Sequence, residues 1–261
     1  MSYLRVIWTF LRLGTLNELE YRANFYTQVL QSALSLLVAL GGLLVVFNHT
    51  ETLGGWGPAE LLAVVGVYLL IGGIINMVIN PSMQRFMEDV RKGTLDFKLT
   101  KPEDAQLLIS IHQIQIWKLT DVGLGLAVLL VALLRLGASV GLAQTLAFCL
   151  VLLCGSAIVY SFWLMLATLS FWFVRVENIL VIFRSMYRAG RWPVGIYPQW
   201  LQVILTFVVP VAFAVTVPAE ALVGRLTWAS LLQALLIALA MLGGSRLFWR
   251  YGIRHYSGAS A

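Results

Sequence analysis

Hydrophobic positions in this chain come in long blocks rather than in alternation. Runs of about 20 residues almost free of charge recur along its whole length, each long enough as a helix to cross a ~30 Å hydrocarbon core. The blocks predict six spans: Phe25 to Phe47, Pro58 to Asn80, His112 to Leu134, Leu142 to Phe173, Gln199 to Val217, and Thr227 to Phe248. Polar residues gather outside them, chiefly in residues 1–24, 81–111 and 174–198. The fold class expected is all-α integral membrane, with residues 1–261 forming one transmembrane domain. The fourth block is 32 residues long, more than one perpendicular crossing needs, so it tilts, projects beyond the bilayer or contains a break.

Composition agrees: 60% of the residues are apolar and 11% charged, against roughly 45–50% and about 25% in soluble domains. The net charge of +6 would suit nucleic acid, but the basic residues cluster between apolar blocks, where they set orientation instead. With the N-terminus inside, and Lys118 snorkelling to its nearer end, inner segments hold 16 Lys and Arg, while outer ones hold only Arg135 and Arg225. Both termini are therefore expected in the cytoplasm, with an even number of spans. Cys149 and Cys154 are five apart in one apolar block and point in different directions, so no disulfide between them is expected. The first 20 residues lack an uninterrupted apolar stretch followed by a cleavage site and read as retained. Arg5, Thr9 and Arg12 form one stripe there, opposite Leu4, Ile7, Trp8 and Leu11, the pattern of a helix in the membrane interface or of a plain cap helix.

Four groups of residues are candidates for function. In the first span Gln28, Gln31, Ser32 and Ser35 share one helical face, which suits either hydrogen bonding between helices or the border of a substrate path. Asn76 and Asn80 at the inner end of the second span allow the same two readings. Pro210 and Pro218 each remove a backbone donor, so the fifth span is expected to be kinked or broken, as a helix lining a cavity can be. The stretch after the second span mixes both signs of charge. Met83 to Arg91 can form a short helix there, with Phe86 and Met87 beside Glu88, Asp89 and Arg91, and with Gly93 to end it. It is either a solvated loop or a docking element.

No G-x-x-x-x-G-K-[ST] phosphate loop, metal-ligand cluster or nucleophile motif is present in the sequence. Asp121, three residues after Lys118, suits an interfacial ion pair. An intramembrane enzyme acting on a lipid or lipid-linked glycan would have to use Asp121, His112 and Glu177, which are poorly arranged. An ion-coupled transporter would need buried ionisable groups, of which the six blocks offer almost none.

Several segments carry a resemblance: Tyr21-Arg22-Ala23-Asn24-Phe25; Gly93-Thr94-Leu95-Asp96 continuing to Lys101-Pro102; Leu169 to Trp172; Pro193 to Gly224; and Tyr251 to Ala259. Together they span essentially the whole chain and resemble the permeases of prokaryotic type-2 ATP-binding-cassette (ABC) exporters, in the ABC-2 branch paired with drug-resistance-like ATPases. Glu103-Asp104 departs from the apolar or small residues more usual there. The resemblance implies a half-transporter in the prokaryotic inner membrane: two six-span permeases, identical or homologous, on two ATPase subunits that hold ATP and Mg. This chain would bind no cofactor itself. It implies an interfacial helix over 1–24, a coupling segment from Met83 to Gln106 that docks on the ATPase, and short broken helices from Pro210 to Gly224 on the outer side. Docking candidates are then Met83, Phe86, Met87, Glu88, Asp89, Arg91, Asp96, Lys101 and Pro102. The expected function is export of an amphipathic or hydrophobic substrate, whether drug, lipid or lipid-linked glycan, by alternating access.

Overall fold

A computed structural model describes residues 22–137, 141–173 and 177–256. Residues 1–21 of the expected interfacial helix and the terminal Ser257 to Ala259 of the family-like segment lie outside the described residues. Arg22 to Asn24 belong to the first long helix.

Among the described residues, five helices are long and apolar enough to cross a membrane. They are α1 (Arg22–Phe47), α2 (Pro58–Lys92), α5 (Leu119–Leu136, entered through a 3-10 turn at Ile116–Lys118), α6 (Leu142–Thr168, continued by a 3-10 turn at Leu169–Phe171) and α10 (Trp228–His255). Short helices α3 (Asp96–Leu99) and α4 (Ala105–Ser110) lie between α2 and α5. α7 (Glu177–Tyr187) follows α6, and a bent pair, α8 (Gln199–Val208) and α9 (Ala212–Leu222), precedes α10. No strand occurs among the described residues. The fourth block is thus one helix whose length requires tilt or projection, not a broken one.

The second span is longer than expected. Asn80–Lys92 continues the helix through a π-helical turn at Ile75–Ile79, giving 35 residues and a length of about 52 Å, well beyond the hydrocarbon thickness. Residues 81–111 therefore begin as helix. Gly93, in the left-handed conformation (φ 68°), ends it as expected, and its N–H reaches back to the Asp89 and Val90 carbonyls. Conversely, residues 111–115 are irregular, and the third span begins at Ile116 rather than His112.

α2 and α5 pack backbone to backbone. A Cβ on Gly125 would lie 2.6 Å from the Leu70 nitrogen, and one on Gly73 2.9 Å from that of Val122. In lipid, where apolar burial does little to drive helices together, such small residues allow the close approach that dispersion needs.

The fifth crossing differs most from expectation. At its start Arg184 donates to Asn80 Oδ1 (2.5 Å), about 33 Å along α2 from Pro58; Tyr187 stacks on Tyr68, only about 15 Å from Pro58. Farther on, Ile196 lies against Gly54 in the loop that joins α1 to α2. Residues 177–196 therefore run along α2 from the level of Asn80 to the loop that joins α1 to α2, the course of a fifth crossing.

α8 starts beside Ile196, and α9 leads to Arg225, which donates to the Gly55 carbonyl (2.8 Å) and Glu60 (2.7 Å). The pair, bent by 79°, thus begins and ends at the same face. Gln199 to Val217 is a re-entrant loop, not a span. Its floor packs on Gly155, where a Cβ would meet the Phe213 carbonyl at 2.5 Å. The break lies at Pro210, as expected. Pro218 does not break α9: it follows directly on a π-helical turn at Ala212–Thr216, after which the chain continues as α-helix to Leu222. Val211, Ala214, Val215 and Ala219 are buried, as irregular backbone at membrane depth requires.

Candidate functional site

Two polar regions stand out. The first is the basic end, where α2 projects beyond the hydrocarbon thickness. Its amphipathic last turns, α3 and α4 are tied together by charge. Asp89, buried, accepts from Lys98 Nζ and Thr94 Oγ1 (3.0 Å), with Arg85 at 3.5 Å. Burial pushes the Lys98 ammonium below its usual range, and Asp89 opposes that effect. Asp104 caps α4 by accepting from the Gln106 and Leu107 amides, and receives a two-pronged contact from Arg246 of α10. The Arg246 hydrogen bond is the main reason its carboxyl is held below the ordinary range. Burial lowers His112 to about 4, and nearby Lys98 adds to the shift.

The docking candidates separate here. Met83, Phe86 and Met87 are buried because α2 does not stop at the membrane surface: Phe86 packs on Phe171 (5.6 Å) and Trp249 (5.2 Å). With Asp89 they hold the platform together and offer no side chain to a partner. Glu88 pairs with Arg85 (3.1 Å) and Lys92, and Asp96 is half-buried. Arg91, Lys101 and Pro102 are exposed. The residue missed from sequence is Phe97, 75% exposed on α3. An aromatic set between Asp96 and Lys98 in a polar stretch was its signal.

The second region is a cavity of about 390 Å³ in the side of the bundle, open where Ser35, Ser185 and Arg188 are exposed. α1 contributes Ser35; α2 contributes Tyr68, Gly72 and Asn76; and the fifth crossing contributes Arg184, Arg188 and Arg191. Asn76 lies in the π-helical turn, a local irregularity of the kind often found at functional sites. Among the path candidates, Ser35 and Asn76 line the cavity and Asn80 holds Arg184. Ser32 is buried and donates to Asp121, while Gln28 is half-buried and Gln31 exposed. That face is therefore shared between packing and cavity. Pro210 and Pro218 do not reach the cavity, but Val211 and Val215 of their loop pack on Gly190 beside Arg191. Asp121 forms the expected pair with Lys118 (3.5 Å).

Neither a curated protein nor a solved structure matches the chain. A family model described as ABC-2 family transporter protein matches residues 33–260. With a long-helix membrane bundle, a projecting basic end and a cavity between its helices, this chain belongs to the ABC-2 transporter family and is a multi-pass membrane permease of that type.

Proposed function

We propose that the chain is the permease subunit of an ATP-driven exporter, with its basic end in the cytoplasm and carrying an ATPase subunit there. Removing Arg184, Arg188 and Arg191 from the inner count still leaves 13 Lys and Arg against 2, which supports that orientation. The observation that carries the reading is the tip of the basic end. It projects from the bilayer, is locked to α10 through Asp104 and Arg246, and presents Phe97, Lys101 and Pro102 outward. An exposed aromatic near an exposed lysine suits a protein contact.

Closure of two ATPase subunits around ATP and Mg would push on this tip. α2 is continuous from the tip to the cavity wall, so a displacement at Gly93 reaches Asn76 and Tyr68 through one rigid element. A second permease, identical or homologous, completes the transporter, and the cargo is an amphipathic or hydrophobic molecule. ATP hydrolysis belongs to the partner.

Affinity purification of the tagged chain from its native membrane, with an ATPase assay on the eluate, tests this. An ATP-binding-cassette ATPase should co-purify and be lost with Phe97→Ala plus Lys101→Glu, while the permease itself elutes unchanged. A stable preparation without ATPase, or an ATPase indifferent to that double variant, would sink the docking assignment. Substrate turnover or ion-dependent flux in that preparation would favour an intramembrane enzyme or an ion-coupled transporter.

A further inference from the structure

We infer that the cavity beside the fifth crossing binds an anionic head group of the phosphate type, carried by an amphiphile. Arg184 lies on α7, Arg188 and Arg191 lie on the 3-10 turn that follows it, and all three line the cavity. Their observed partners are neutral. Arg184 Nη2 donates to Asn80 Oδ1 at 2.5 Å, Arg188 Nη2 donates to Ser185 Oγ at 2.9 Å, and Arg191 lies 5.5 Å from the centre of the Tyr68 ring. No carboxylate pairs with any of them among the described residues. The Nε groups of Arg184 and Arg191 are buried without a hydrogen-bond acceptor. The one acid in the wall, Asp121, already serves Ser32 and Lys118.

Arg184 and Arg191 are half-buried and Arg188 is exposed on the open side of the cavity; guanidinium groups drawn into a membrane bundle are costly unless something compensates them. A planar fork of N–H donors matches the oxygens of a phosphate two at a time. The volume of about 390 Å³ holds such a head group with part of its attachment. Trp163 and Phe183 give the same cavity an apolar side, which suits the rest of an amphiphile. Gly72 and Gly73 line it without side chains on the α2 wall. A cationic molecule would leave the arginines uncompensated, and a zwitterionic one would bring a cation in beside them.

The inference deepens the exporter reading by giving its cargo a charge, and rests on that reading only for the direction of movement. The test uses the full chain purified in neutral maltoside detergent, with fluorescent phosphatidic acid as probe and anisotropy as readout. Fluorescent phosphatidylcholine and inorganic phosphate are the comparison ligands. Phosphatidic acid should bind at least tenfold more tightly than phosphatidylcholine. Arg188→Gln plus Arg191→Gln should weaken it at least tenfold, Arg188→Lys should retain part of the affinity, and Arg135→Gln at the far face should change nothing.

Displacement of the probe by inorganic phosphate in the millimolar range assigns the site to the phosphate group whatever carries it. Failure of phosphate to compete assigns it to the whole amphiphile. Equal binding of the two lipids, or a double variant that elutes normally yet binds as well as the parent, overturns the inference. Co-purification of the ATPase is scored separately, so either idea can fail without the other.

Discussion

The two arginine-bearing regions are built on opposite plans. At the basic end Arg85 and Arg246 face Asp89 and Asp104, and Lys98 faces Asp89. In the cavity Arg184, Arg188 and Arg191 face an amide, a hydroxyl and an aromatic ring. Paired charges that close onto one another hold a shape, whereas charges left with neutral partners keep their strongest interaction for a ligand. The basic end therefore reads as a rigid transmitter and the cavity as a receiver.

Breaking a pair at the basic end should have the largest effect. Asp89→Ala strands Lys98, whose side chain is only 13% exposed, and should cost about 3–5 kcal/mol. A fall in the thermal unfolding midpoint of the detergent-solubilised chain measures it. Gly155→Val should follow, at about 1–3 kcal/mol, because the added side chain collides with the Phe213 carbonyl that carries the loop bracing Gly190. Its signature is a lost unfolding midpoint together with weakened anionic-lipid binding, although it touches neither arginine nor ligand.

Acidification separates the regions next. The unfolded chain protonates His112 near pH 6.5, but the folded chain resists until about 4, so this contribution to stability is full above 6.5 and is lost as pH falls through that window. Asp104, held low chiefly by Arg246, acts in the same direction below the ordinary carboxylate range. Unfolding midpoints should therefore decline from pH 7 to 4.5, and His112→Phe should flatten the upper part of the decline. The smallest stability effect belongs to Arg188→Gln, which removes no ion pair and should shift stability by no more than about 0.5 kcal/mol. A loss as large as that of Asp89→Ala would erase the contrast between the regions.

Much of the fold was legible because a bilayer imposes simple rules. Block length and lack of charge located α1, α6 and α10. Local backbone chemistry located the stop at Gly93 and the break at Pro210. At the site, residue type flagged Ser35, Asn76 and Asn80, since a polar side chain within an apolar helix must turn toward protein or a cavity. It could not divide Ser35 from Ser32, because which neighbour each meets depends on how α1 sits against α5.

Tertiary structure alone decided which segment makes the fifth crossing. Gln199 to Val217 is apolar enough to span yet turns back, while residues 177–196 carry three arginines and cross. Hydropathy measures the cost of meeting lipid, and a segment sheltered by α2, α6 and the re-entrant loop meets lipid on only part of its surface. The same reason moved Met83, Phe86 and Met87 from the presumed docking face into the core: α2 runs on past the membrane to pack against α6 and α10. Sequence thus determined what could lie in the membrane, and packing decided which polar groups were shielded there and toward what they point.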